Sequence, residues 1–172
     1  MAKNSHRQVT SEELDALYRG IGRGVWSLQY VEDALQMLIT LKVDIKTPGR
    51  VNLSQGKVLL AKHRRNTLGT SLKIIREQSL VGPHLLERLS AFKEERDWLV
   101  HRSQQSHGDL LYTDAGRAEM FTRLESFDTE AGLLQTEILG EIDKFAASQG
   151  ANVAAARVMA ASNVGRMRGK LT

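Results

Sequence analysis

From Thr113 to Ala146 the chain reads TDAGRAEMFTRLESFDTEAGLLQTEILGEIDKFA. Apolar residues return at Ala118, Phe121, Leu124, Phe127, Ala131, Leu134, Ile138, Ile142 and Phe145. Steps of three and four mark one buried stripe of an α-helix, and Thr113 or Asp114 is placed to cap its start. At about 1.5 Å per residue the helix spans nearly 50 Å. A stripe of that length needs partner helices along its whole course.

Working back toward the N-terminus, a second long helix is expected from Thr10 to Val43, entered through a Thr10/Glu13 capping box. Its stripe is Leu14, Leu17, Tyr18, Ile21, Val25, Leu28, Leu35 and Ile39. Gly20, Gly22 and Gly24 lie inside it, where they permit a bend or a close helix approach. No strand precedes them, so they do not form a phosphate loop. A helical region follows Ser54 and extends to about Gln78, with a possible break between Asn66 and Gly69 where Thr67 would cap a new start. A further helix begins at Pro83, which suits a first helical turn, and runs to about Ser103. A polar loop is expected over Gln104–Tyr112, and the alanine-rich piece after Gly150 is expected to form a short helix with a thin apolar face and a frayed end.

The prediction is an all-α, up-and-down bundle of four to five helices. Residues 1–9 are expected to be disordered, residues 10–146 form the bundle domain, and residues 147–172 form a basic, alanine-rich tail or short helix. The chain has 172 residues and no cysteine, which excludes disulfides, thiolate zinc sites and a cysteine nucleophile. Neither a metal nor a cofactor is predicted. The opening residues are polar and no apolar run approaches the roughly 18 residues of a membrane span, so a cytoplasmic protein without membrane contact is expected. Lys and Arg number 24 against 20 Asp and Glu. Arg157, Arg166, Arg168 and Lys170 account for that excess of four, in a tail without acids that could meet phosphates without sequence preference.

Chemistry concentrates in Arg96-Asp97-Trp98-Leu99-Val100-His101. Leu85, Leu89, Phe92, Leu99 and Val100 share a stripe, and Arg96 falls near its middle. A guanidinium cannot shed its proton to escape burial, so it needs a carboxylate, an open crevice or an anionic ligand. Glu32 sits centrally on the stripe of the first helix, and a Glu32–Arg96 pair is therefore expected. Asp97 and His101 are four apart, where the carboxylate can fix the imidazole tautomer. Arg102 and His107 repeat the interval, but without an adjacent acid or a helix stripe to order them.

The Arg96, Asp97 and His101 spacing resembles the motif of the HEPN superfamily: an Arg, a polar residue, three others and a His near the end of a bundle helix. Phe92-Lys93-Glu94-Glu95, Leu99-Val100-His101-Arg102 and Thr67-Leu68-Gly69-Thr70 supply similar context. The likeness covers roughly residues 10–146. The family often has Asn where this chain has Asp97, and Ser103 stands where some members carry a regulatory Tyr. The resemblance implies a homodimer with a composite cleft, metal-independent cleavage of RNA, and in many members a toxin or phage-defence role with an antitoxin or regulatory protein. Carried over, His101 would act on the ribose hydroxyl or the leaving oxygen, Arg96 on the phosphorane charge, and Asp97 on orientation. Other members have lost catalysis and serve as binding modules.

Supporting roles fall to Glu32 and Arg102. Lys62, Arg64 and Arg65, with Lys57 and His63, form a basic cluster that could guide an RNA backbone, although a solvated helix face gives the same pattern. Trp26, Tyr30 and Trp98 are the rings able to stack on bases. For each of them helix packing is the ordinary role, with Trp98 the candidate dimer contact. A silent helical module and a DNA-associated regulator using the tail are the alternatives to a nuclease.

Overall fold

A computed structural model describes residues 7–47, 49 and 51–167. Among these residues the secondary structure is entirely helical, and the protein is an all-α bundle. The expected disordered segment lies largely outside them, as do Pro48, Arg168 and Lys170. No helix among the described residues is long and apolar enough to cross a membrane.

Helix α1 (Ser11–Ile39) starts at the Thr10/Glu13 capping box. It runs on into a π-helical turn over Thr40–Ile45. Lys46, with φ 59°, turns the chain, and α2 (Leu53–His63) leads back, capped by Asn52 and Gln55. The break near Asn66 is real: Thr67 caps a separate α3 (Leu68–Glu77). Helix α4 (Pro83–Asp97) passes into a second π-helical turn, Trp98–Arg102. In place of the expected polar loop follow α5 (Ser103–His107) and a 3₁₀ segment, Gly108–Tyr112. Thr113 caps α6 (Asp114–Ser148). The tail carries a full helix, α7 (Val153–Met167), held to α6 by the Arg157–Asp143 ion pair. Its Val158 and Met159 are exposed, as the thin apolar face of this segment foretells.

The two long helices form the spine, and they run parallel. Glu13 meets Arg117, Ser27 meets Asp128 and Lys42 meets Glu141, so both residue numbers rise together. The reason is topological: α2 returns the chain from Ile45 toward Asp33, where Arg64 ends 4.0 Å from the carboxylate. This extra pass sends α3 in the direction of α1. Helix α4 then comes back against α6, with Phe92 stacked on Phe127 at 4.6 Å and Arg88 bonded to Glu130 and Glu137.

Close contact along the spine uses the glycines. A Cβ at Gly20 would lie 3.0 Å from Leu124, and one at Gly24 would lie 3.0 Å from Leu99 and 3.4 Å from Phe127. Gly22 faces open space. Val31, Leu35, Leu38, Ile39, Ile75, Leu89, Leu134 and Ile138 fill the centre without measurable exposure. One end of the spine is tied by Arg117. This buried guanidinium pairs with Glu13 at 3.1 Å and with Asp114, and donates to the Leu111 carbonyl at 2.5 Å. Arg7 foremost, then the Thr10 amide, hold the Glu13 carboxyl down at about 2, and Arg117 adds to that pull.

Gly116, beside Arg117, has no room for a side chain, because a Cβ would collide with the Leu110 carbonyl. Gly116→Ala is expected to destabilise the protein by about 1–3 kcal/mol through overpacking. Gly132→Ala, in open space on the same helix, is expected to stabilise it by about 1 kcal/mol. Urea unfolding of the two variants checks the pair, and equal shifts would contradict the packing described.

Candidate functional site

The end of α4 gathers most of the predicted residues. In an ordinary α-helix residues five apart point about 140° away from each other. Hydrogen bonds that span five residues widen the turn and close much of that angle. The π turn over Trp98–Arg102 thereby brings His101 around to Arg96, and the Arg96 Nη1 lies 3.5 Å from the His101 Nε2.

Arg96 is half-buried. Its Nη1 donates to Asp97 Oδ1 at 3.0 Å, whereas its buried Nε has no partner among the described residues. Asp97 also accepts from Lys93 Nζ at 2.7 Å. Lys93 lies along α3, 3.5 Å from where a Gly69 Cβ would stand. The Lys93 ammonium, then Arg96, hold the Asp97 carboxyl below the usual carboxylate range despite an opposing desolvation effect. A guanidinium only donates, so its contact with His101 requires Nε2 to be the acceptor and the imidazole proton to sit on Nδ1. His101 itself is exposed, as is its neighbour Val100.

Three expectations need correction. No hydrogen bond among the described residues joins Asp97 to His101; the wider turn takes the imidazole off the four-residue register and sets it by Arg96. No ion pair among the described residues joins Glu32 to Arg96; Glu32 Oε1 instead accepts the Leu68 amide at 3.1 Å, at the start of α3. Trp98 is a core residue with Arg123 stacked over its ring at 3.8 Å, so it is buried within the subunit and offers no dimer contact. Arg102 lies on the outer side, 3.4 Å from the Glu94 carbonyl, and is half exposed.

The basic cluster divides. His63 is buried against Asp44, with Asn66 Nδ2 3.3 Å from its other ring nitrogen, and belongs to the interior. Burial pushes the Asp44 carboxyl up, but His63 and Lys62 together outweigh it and leave it lowered. Lys62 is engaged with Asp44 at 3.2 Å. Arg64 and Arg65 are exposed just before α3. Arg64 lines a cavity of about 310 Å³ with Trp26, Gln29, Tyr30, Glu32, Asp33 and Gln36. The sequence singled out the two rings and Glu32, but Gln36 went unnoticed. Its signal was a polar side chain four residues beyond Glu32 on the buried side of the same helix.

Chemically, the α4 terminus holds a fixed cation beside an exposed imidazole whose Nε2 is turned to that cation. Such a pair can bind an oxyanion and move a proton. Comparison with protein-family models, with curated proteins and with solved structures finds no match to this chain.

The Lys93–Asp97–Arg96 chain has a pH signature. A carboxyl whose folded pKa is depressed contributes stability above its unfolded value of about 3.9, and loses it as pH falls through the lower folded value. Asp97→Asn is therefore expected to melt below the native protein at neutral pH, with the difference vanishing at the acid end. Thermal melts across the acid range check this, and a difference that persists at low pH would contradict it.

Proposed function

We propose that the protein is an HEPN-like, metal-independent RNA endonuclease that acts as a homodimer. The observation that carries this reading is the Arg96–His101 contact at the end of α4, where a guanidinium and an exposed imidazole stand side by side. The motif resemblance supplies the reaction class, since composition and fold are compatible with many functions.

The chemistry follows from the two groups. As the substrate phosphate draws the Arg96 guanidinium to itself, His101 Nε2 is released to accept the proton of a ribose 2′-hydroxyl while its oxygen attacks the adjacent phosphorus. Charge grows on the non-bridging oxygens, and Arg96 donates to them. The bond from phosphorus to the 5′-oxygen breaks, that oxygen takes up a proton, and the products are a 2′,3′-cyclic phosphate and a 5′-hydroxyl. Two proton-transfer groups are needed, one on each side of phosphorus, and the described residues of each subunit offer a single imidazole at this place. A second copy bringing its own His101 completes the set, which is the physical argument for pairing through this exposed edge. Asp97, held by Lys93, keeps Arg96 in position. Arg64, Arg65 and Arg102 would draw the phosphate backbone in.

On the same resemblance the protein fits a toxin or phage-defence effector restrained by an antitoxin or another regulatory protein. A non-catalytic module is the rival reading. It is favoured by the half-burial of Arg96 and its bond to Asp97, features that a purely structural anchor would share.

Incubation with mixed RNA in excess EDTA tests the proposal. The native protein is expected to generate cyclic-phosphate ends. His101→Ala, a change at an exposed position, is expected to cut about 10²–10⁴-fold more slowly. Intact RNA with the native protein, or equal cleavage by both proteins, would favour the silent module.

A further inference from the structure

The cavity on the outer side of α1 has the make-up of a base-binding pocket. Trp26 and Tyr30, one helical turn apart, are 62% and 47% exposed. Even so they are ordered against each other: Trp26 Nε1 donates to the Tyr30 hydroxyl at 2.8 Å, and the rings meet edge to face with centroids 6.4 Å apart. An exposed tryptophan held in one orientation is a ready stacking surface. Gln36 stands beside it. This residue is 5% exposed, lines the cavity, and its side-chain amide bonds to no described residue. Its amide tip, open to the cavity, can donate to and accept from a ligand.

The charges decide which part of a nucleotide fits. Glu32 and Asp33 also line the cavity, and two carboxylates repel a phosphate. Their oxygens only accept hydrogen bonds, so they call for a ligand edge rich in N–H groups. Arg64, 59% exposed at the rim and 4.0 Å from Asp33, would turn outward from that carboxylate to take the phosphate. About 310 Å³ lies at the small end of ligand pockets and suits one planar heterocycle.

We infer that this cavity binds an unpaired guanine of the RNA substrate. Of the four bases only guanine presents two adjacent N–H donors beside a carbonyl. Its N1–H and N2 amino group match a carboxylate, its O6 matches the Gln36 amide nitrogen, and its ring stacks on Trp26. The site connects to the proposed cleavage centre through packed groups: Glu32 caps α3 at Leu68, Gly69 lies against Lys93, and Lys93 holds Asp97. The inference rests on the nuclease reading for the identity of its ligand, and it adds base selection to that reading.

Tryptophan fluorescence tests it, because the protein has two tryptophans and Trp98 is buried under Arg123. Guanosine monophosphate is expected to quench the native protein at concentrations at least about tenfold lower than the other three mononucleotides. Trp26→Phe removes the quenching. Asp33→Asn, at an exposed position, keeps the fold by circular dichroism and removes the guanine preference. In the His101→Ala background, a short single-stranded RNA with one G is expected to bind more tightly than guanosine monophosphate, and more tightly than the same RNA with A. Free nucleotide binding as tightly as RNA would assign the pocket to a small-molecule effector and overturn the substrate assignment. No quenching, equal quenching by all four nucleotides, or an emission shift that depends only on protein concentration would overturn the subsite. RNA cleavage without guanine preference sinks the subsite and leaves the nuclease standing. Guanine-selective quenching without any cleavage sinks the nuclease and upholds a guanine pocket.

Discussion

The hydrogen-bond spacing of the Trp98–Arg102 turn is the constraint on which the candidate site depends. Trp98 and Leu99 are both buried, one beneath Arg123 and the other against Gly24 of α1. Adjacent residues of an α-helix point about 100° apart, so burying both commits a wide sector of the helix to the core. The wider turn allows this while leaving His101 at the surface and close to Arg96. Register shifts of this kind are frequent at functional sites because they move side chains that a regular helix would separate. Here the shift converts a buried stripe with one misplaced arginine into an edge with an anchored guanidinium and an exposed imidazole beside it.

Around that edge, polar contacts tie separate helices into one unit. Glu32 of α1 holds the first amide of α3, α3 lies along Lys93 of α4, and Lys93 holds the carboxylate that holds Arg96. Arg123 of α6 bonds Glu95 at 2.7 Å and covers Trp98 from the other side. The guanidinium thus sits on Asp97 at the end of a series of contacts through α1, α3 and α4, with α6 packed beside it on Trp98. Such support matters because an electrostatic site works by being organised before its charge partner arrives. The same contacts place the aromatic cavity of α1 and the α4 terminus on either side of the α3 start.

Much of the bundle was legible because its long helices obey a period of 3.6. The stripe of Leu124, Phe127, Ala131, Leu134 and Ile138 is buried as read, and Thr10, Thr67 and Thr113 cap the helices they were expected to cap. The parallel course of α1 and α6 was not legible, since it follows from α2 making its own pass and not from either stripe. Polarity misled over residues 104–112, where short helical turns are held by their neighbours without an apolar pattern. A helical wheel correctly turned Glu32 inward but could not say which helix it would meet. The wheel also assumed a constant 100° step, so it paired His101 with Asp97. No residue type announces a π turn, and its position emerges only from the packing of Trp98 and Leu99.

If Arg96 and His101 serve one phosphodiester, their contributions to catalysis cannot be independent. The direct measurement is a double-mutant cycle of single-turnover RNA cleavage with Arg96→Ala, His101→Ala and the combined variant. Groups acting as a unit give strongly non-additive losses, so the double variant is expected to be little slower than the slower single one. Losses that multiply in full would mean that the guanidinium and the imidazole work apart, and the site described here would not be the reacting centre.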